Sequence, residues 1–185
     1  MCLDNSPQPA SSEKCRNSWT RISETEEDEE DLIRYCRREE NELLQALLEK
    51  RTVDLNINYV EEGRDTALNI SARLGNLTAV KILLSREEIE VNQAGQERIT
   101  ALTEACLYGH VEIVKLLLTR PDVDINLVDC FDGTALQSAI MSGQTEIIKM
   151  ILERPDLHID KESFPAYFKN QPPACLPALI QYLIR

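Results

Sequence analysis

Residues 66–92 read TALNISARLGNLTAVKILLSREEIEVN, residues 100–126 read TALTEACLYGHVEIVKLLLTRPDVDIN, and residues 134–160 read TALQSAIMSGQTEIIKMILERPDLHID. The three segments begin 34 residues apart, because their first positions are 66, 100 and 134. The opening threonine, a central glycine and the final asparagine or aspartate recur at matching places. A period of this length predicts a solenoid of stacked units, each of which buries its apolar face against its neighbours.

Each segment has the pattern of two short helices joined by a turn. The opening threonine is a suitable N-cap for the first helix. Gly75, Gly109 and Gly143 stand where this helix should end in a left-handed conformation. The second helix is apolar on most sides, as in VEIVKLLL from Val111 to Leu118, so we expect it between neighbours. Alternating apolar residues then predict a short β-like hairpin.

This order of elements, with GHVEIVKLLL from Gly109 to Leu118 and DGTAL from Asp132 to Leu136, resembles the ankyrin repeat. The resemblance implies an all-α repeat solenoid of helix-turn-helix units with β-hairpin loops, about three regular repeats and divergent N- and C-terminal capping units. Two features depart from the family pattern. The usual Thr-Pro-Leu-His opening stands here as TALN, TALT and TALQ, without the histidine that normally bonds neighbouring loops. The connection after the second helix is one residue longer.

The sequence divides into an acidic tail and a repeat domain. We expect residues 1–30 to be disordered, because seven of the eight residues from Glu24 to Asp31 are acidic and apolar residues are scarce. The repeat domain then spans residues 31–185. Its regular repeats are predicted at residues 66–92, 100–126 and 134–160.

Both flanks of the regular repeats are interpreted as degraded copies that cap the array. Residues 31–58 are an N-terminal cap with a charged outer helix. Within them, YCRREENELLQALLEKRTVDLN aligns with the repeat from Ala72 to Asn92 and matches Asn56 to Asn92, so that the loop to Thr66 carries two extra residues. Residues 161–185 are an irregular C-terminal cap, because the prolines of SFPAYFKNQPPACLP exclude an ordinary first helix.

Composition narrows the classes of partner. The formal net charge of −12 repels phosphate backbones and anionic lipids, so we expect a protein partner with a basic or apolar patch, and neither nucleic acid nor membrane. Six cysteines without a C-x-x-C pair, and two histidines, do not form a zinc pattern, so no metal or other cofactor is predicted. Without an apolar signal-peptide core, we expect free thiols in the cytoplasm, the nucleus or both.

In ankyrin repeats the hairpin tips and the exposed side of the first helix form the concave surface that holds partners. Transferred by position, the resemblance places on this surface Arg73, Leu74, Ile99, Thr103, Leu107, Tyr108, Phe131, Gln137 and Met141. Aromatic and methionine side chains on a polar face are typical interface anchors. We therefore predict that Leu107, Tyr108, Phe131 and Met141 form an apolar strip that contacts a partner. The alternative is that they pack against adjacent hairpins.

Two kinds of modification are further hypotheses. Asn92 and Asn126 stand where an ankyrin asparagine fixes the hairpin, but their surroundings also resemble sequences modified by the factor-inhibiting asparaginyl hydroxylase. Ser23 and Thr25, each with an acidic residue three positions on, resemble sites of acidophilic kinases. For the acidic run, the alternative is a solvated tail without modification.

No phosphate-binding loop, nucleophile with a base, or paired carboxylates on a buried element can be recognised in the sequence. We therefore predict a monomeric, non-enzymatic protein-interaction module that acts as a regulator or inhibitor. The alternative is an adaptor or substrate receptor in an enzyme complex such as a ubiquitin ligase, because CLPALIQYLIR from Cys175 faintly resembles the tail of an elongin-binding box. His110 stands where the family's Gly-His pair has a structural histidine.

Overall fold

The computed structural model describes residues 27–49, 55–60 and 65–159. Within these ranges the helices are α1 (27–38), α2 (Asn41–Glu49), α3 (Ala67–Leu74), α4 (Leu77–Leu84), α5 (Ala101–Tyr108), α6 (Val111–Leu118), α7 (Ala135–Met141) and α8 (Thr145–Leu152). A single 3₁₀ turn, Gln96–Arg98, lies in the connection between α4 and α5. The described part of the chain is thus an all-α repeat solenoid, as predicted.

The helices form two layers. The first helices α3, α5 and α7 pack on one another, and each also packs on the second helix of its own repeat. The second helices α2, α4, α6 and α8 form the other layer, in which neighbours approach less closely. Buried alanines on the first helices, at positions such as Ala67, Ala101 and Ala135, allow the close approach. Because one layer is more tightly spaced, the stack curves with the first helices on its concave side.

The predicted helix boundaries are confirmed in each regular repeat. Thr66 Oγ1 accepts a hydrogen bond from the backbone N–H of Asn69 at 3.1 Å, and Thr100 and Thr134 cap α5 and α7 in the same way. The turn glycines have positive φ angles of 76°, 78° and 71°, in the order Gly75, Gly109 and Gly143. These left-handed residues allow the second helix to begin with only two or three residues between it and the first.

One apolar core runs through all the described units. Leu32 and Leu44 of the first unit are fully buried, as are Ile113 of α6 and Ile147 of α8. The side chains form a single continuous cluster. No unit closes a core of its own, which is the property that makes the array a solenoid.

The connections between repeats are tight hairpins with little β structure. The backbone N–H of Gly95 donates to Ile99 O at 2.9 Å, and one repeat later Asp129 donates to Gly133 at 3.0 Å. Within the described ranges an isolated bridge joins Val128 to Thr134, and no extended strand is formed. The β-like hairpins of the sequence analysis are therefore closed turns.

Adjacent connections are joined by an asparagine clasp, a name used here for the paired bonds of Asn58, Asn92 and Asn126. Asn92 Nδ2 donates to Asp122 O at 2.6 Å, and Asn92 Oδ1 accepts from the backbone N–H of Asp124 at 2.9 Å. Asn58 and Asn126 bond the following connection through the same pairs of atoms. Each clasp thus links one repeat to the next through both atoms of a single carboxamide.

The clasp corrects the alignment of the N-terminal cap. Asn58, and not Asn56, is the equivalent of Asn92, because 58, 92 and 126 are 34 residues apart. The two extra residues of the cap therefore precede the clasp and do not lie in the loop to Thr66. Asp54-Leu55-Asn56 resembles Glu90-Val91-Asn92 in sequence, which suggested the wrong alignment. In the structure, Ile57 occupies the buried position that Val91 occupies one repeat later.

The predicted end of the acidic tail is also wrong, because residues 27–30 already belong to α1. Glu29 Oε1 accepts a hydrogen bond from the backbone N–H of Asn56 at 3.2 Å, which ties this acidic stretch to the first unit. The rest of the predicted tail, the predicted C-terminal cap at residues 161–185 and the elongin-like stretch from Cys175 lie outside the described residues.

Candidate partner-binding surface

A shallow cavity of about 260 Å³ lies where the last turn of α5 meets the hairpin 95–99 and the end of α3. It is called the α5 cavity below. Its lining side chains are Asp65, Arg73, Gln96, Glu97, Ile99, Glu104, Leu107 and Tyr108. Residues of two adjacent repeats therefore build it, and it opens on the concave side of the stack.

A cluster of buried charges forms one wall of the α5 cavity. One guanidinium nitrogen of Arg73, Nη1, donates to Asp65 Oδ2 and, at 3.3 Å, to Glu104 Oε1. Asp65 and Glu104 are only 6% and 4% exposed. Asp65 Oδ1 also accepts the backbone N–H of Gln96 at 3.1 Å. Two buried carboxylates therefore share one arginine.

Glu104 was missed by the sequence analysis. Its burial raises the pKa of the carboxyl group above its usual value, and the guanidinium of Arg73 opposes the rise only in part. Its place in the repeat is the sequence signal that could have identified it. The equivalent positions carry Ile70 and Ser138, so a carboxylate there stands out from the pattern.

Tyr108 stacks on a residue that links two repeats. Its ring stacks on His110 with the centroids 6.4 Å apart and the planes 19° from parallel. His110 Nε2 lies 3.0 Å from Arg73 O, and its ring lies against Gly75, where a Cβ atom would approach Cε1 to 2.5 Å. His110 thus links two repeats, which fits the structural role inferred for it.

The comparison with known families agrees with this geometry. The family model described as ankyrin repeats, three copies, matches residues 88–163. Residues 88–163 are therefore ankyrin repeats. The matched range begins before α5 and ends after α8, while α3 and α4 lie before it but are built in the same way. No curated protein matches the sequence.

The predicted apolar strip is exposed on the concave side of the ankyrin stack. Leu107, Tyr108, Phe131 and Met141 are 37%, 54%, 74% and 72% exposed. Leu74, also predicted for the partner surface, is 43% exposed. Among the described residues, these five and Leu43 of α2 are the large apolar side chains that face solvent. All four side chains of the strip are thus open to solvent, Phe131 and Met141 most of all, and their contact with a partner stays a prediction.

Thr103 does not belong to the exposed surface, contrary to the transfer by position. It is 4% exposed, and its Oγ1 lies 3.1 Å from Thr100 Oγ1. The cause is that a threonine in the first turn of α5 lies beside the N-cap hydroxyl. Its place in the repeat is that of the family's loop-bonding histidine.

Two further predicted surface residues are half-buried and have structural contacts. Gln137 Oε1 accepts the backbone N–H of Thr134 at 2.6 Å and completes a capping box. Ile99 lines the α5 cavity, and its carbonyl accepts Asn69 Nδ2 at 3.1 Å. Asn69 thus makes the bond between neighbouring loops that the missing histidine makes in other ankyrin repeats.

The proposed hydroxylation sites Asn92 and Asn126 are both members of the asparagine clasp. Each carboxamide is bonded through its nitrogen and its oxygen to the next connection, so both side chains have a structural role in the folded protein. Hydroxylation stays a hypothesis. Ser23 and Thr25 lie outside the described residues.

The described residues contain few other reactive groups. Cys36, Cys106 and Cys130 are free, and burial raises the pKa of Cys36 to about 11 and that of Cys106 further. In the same ranges no histidine, cysteine or acidic residues group as metal ligands. Among the helices of these ranges, none has the length and apolar character needed to cross a bilayer.

Proposed function

We propose that this ankyrin-repeat protein binds a partner protein through the concave surface formed by the ends of α3, α5 and α7 and the hairpin tips. Ankyrin repeats are in general modules of protein–protein interaction, and they are typically not enzymes. To this general function the proposal adds two points. The partner binds to the concave surface, and the protein acts as a regulator or inhibitor by covering part of that partner.

The observation that carries the proposal is the distribution of exposed apolar side chains. Five of the six such residues in the described ranges lie on the concave side, at the helix ends and the hairpin tip. A single exposed leucine is ordinary, but aromatic, leucine and methionine residues gathered on one face are typical of interfaces. The second-helix layer offers no comparable group among the described residues.

The rigidity of the surface supports the same function. Tyr108 is stacked on His110, and the hairpin tips are joined by a bond from the backbone N–H of Cys130 to Glu97 O at 2.9 Å. A preformed surface loses little conformational entropy on binding, so more of the contact energy appears as affinity. We infer that a monomer presents it, without cofactor or catalysis.

The partner class follows from charge. The net charge of −12 favours association with a basic or partly apolar protein surface and opposes nucleic acid and anionic lipid. The free cysteines fit a reducing compartment, and we propose the cytoplasm, the nucleus or both.

Proximity labelling in cells tests the proposal. The full chain is compared with the double variant Tyr108→Ala, Phe131→Ala and with the matched control Thr78→Ala, which alters an exposed residue on α4. We expect the double variant to lose its most strongly labelled proteins while the control retains them. If the double variant folds and labels the same proteins to the same extent, the concave strip is not the binding surface.

A further inference from the structure

We propose that the α5 cavity receives a cationic side chain of the partner, an arginine or a lysine, whose apolar neighbours in the partner contact the apolar strip. The inference rests on the proposed function, because it assumes that this surface is the one that binds. It adds the chemistry of the ligand group and the residues that select it.

Charge balance in the cavity favours a cation. Three carboxylates line it, those of Asp65, Glu97 and Glu104, against the single guanidinium of Arg73. With all four groups ionised, the lining carries a formal charge of −2. Arg98, the next residue of the hairpin, is exposed and does not line the cavity.

The ion pairs within the cavity do not neutralise the formal charge of −2 on its lining. Arg73 uses the same nitrogen, Nη1, for both Asp65 and Glu104, and about two thirds of its side chain is buried. Burial of two carboxylates beside one cation is costly unless further donors reach them. A partner ammonium or guanidinium beside the exposed Glu97 would add the missing positive charge, whereas a partner carboxylate would meet a wall that is already negative.

The remaining walls suit the same ligand. Tyr108 exposes about half of its surface, so its ring face is available to a cation, and Ile99 and Leu107 can cover the aliphatic stem of a lysine or arginine. The volume of about 260 Å³ fits one such side chain but not a folded element. The cavity therefore accepts a single long cationic residue beside an apolar contact.

Continuity with the apolar strip defines the rest of the partner segment. Leu107 and Tyr108 belong to both the cavity and the strip. Met141 occupies, on α7, the place that Leu107 occupies on α5, since the two positions are 34 residues apart. A segment with its cation in the cavity would direct its neighbouring apolar side chains onto α7.

Selection of random dodecapeptides displayed on phage against the full chain provides the test. Affinities of the enriched peptides are then measured by fluorescence anisotropy for the wild type, Glu97→Gln, Tyr108→Ala, and the control Glu87→Gln, which removes the same charge from an exposed position after α4. We expect peptides with an arginine or lysine next to apolar residues, weakened about tenfold by Glu97→Gln and unaffected by the control. Circular dichroism checks that each variant is folded.

A double-mutant cycle locates the cation. Citrulline in place of the peptide's arginine, or norleucine in place of its lysine, should weaken binding to the wild type but add little to the loss in Glu97→Gln. Peptides that require Tyr108 but lack a shared cation, or whose cation does not couple to Glu97, would overturn this inference and leave the proposed function standing. No enrichment, or binding that is insensitive to Tyr108→Ala, would overturn both.

Discussion

The asparagine clasp and the apolar strip follow the same 34-residue period, but only one of them keeps its chemistry from repeat to repeat. Asn58, Asn92 and Asn126 are identical and make identical bonds. The residues at the end of the first helix differ in every repeat: Arg73, Leu107 and Met141 at one position, then Leu74, Tyr108 and Ser142 at the next.

The difference shows which positions the fold constrains. A clasp residue must reach a carbonyl and an N–H of the next connection at once, which in this geometry a carboxamide can do. Arg73 pairs with Asp65 and Glu104, but the apolar residues at the other varied positions face solvent, and the fold places no such demand on their side chains. Variation there leaves the stack intact, so these positions are available for recognition.

The largest expected contrast is between two leucines of one repeat. Leu117 on α6 is 1% exposed, whereas Leu107 on α5 is 37% exposed. Leu117→Ala should lower the free energy of unfolding by about 2 to 5 kcal/mol, because it leaves a cavity in the core. Leu107→Ala should change it by less than about 1 kcal/mol.

Urea denaturation of the two variants checks this contrast. If Leu117→Ala and Leu107→Ala lowered the free energy of unfolding equally, the distinction between scaffold and surface positions would be wrong. Should Leu117→Ala prevent folding altogether, the milder Ile113→Val is expected to cost about 0.5 to 1.5 kcal/mol.

A smaller effect is expected from breaking one clasp. Asn92→Ala removes two hydrogen bonds between repeats, so the free energy of unfolding should fall by about 1 to 3 kcal/mol. The neighbouring Gln93→Ala should stay within about 0.5 kcal/mol. Thermal or urea unfolding distinguishes the two, and an Asn92→Ala variant as stable as Gln93→Ala would show that the clasp adds nothing to stability.

The smallest expected effect on the free energy of unfolding comes from Glu104, the buried carboxylate of the α5 cavity, and it depends on pH. Burial raises the pKa of Glu104 above its ordinary value of 4.5, so the folded protein holds this proton more tightly than the unfolded chain. Ionisation of Glu104 therefore lowers the free energy of unfolding. The loss begins near pH 4.5, where the unfolded chain ionises, and is complete above the higher pKa of the folded protein. Glu104→Gln removes the cost.

Urea denaturation near pH 4.5 and at neutral pH measures this linkage. The stability of Glu104→Gln relative to the wild type should be greater at neutral pH than at the acidic value. A difference that is flat, or that decreases toward neutral pH, would mean that Arg73 fully compensates the buried carboxylate.

The repeat pattern predicted the scaffold because local rules fix it. Thr66, Thr100 and Thr134 cap helices and the turn glycines are left-handed for reasons confined to a few neighbouring residues. The exposure of the apolar strip was predicted as well, because the resemblance assigns a face to each helical position.

Contacts between repeats were harder to predict. The identity of Asn58 as a clasp residue depends on bonds to Glu88 and Glu90, which are 30 and 32 residues away. The cluster of Arg73 with Asp65 and Glu104 likewise arises where two units meet. A single repeat does not contain the partners that decide these side chains.

A saturation mutagenesis scan of residues 65–159, read out both for cellular abundance and for binding to the protein that labelling identifies, tests the central claim most directly. We predict that substitutions at Leu107, Tyr108, Phe131 and Met141 reduce binding and leave abundance unchanged, whereas substitutions at Asn92, Asn126 and the core reduce abundance. Strip substitutions that lower abundance as much as core substitutions do, or that leave binding unchanged, would contradict the account.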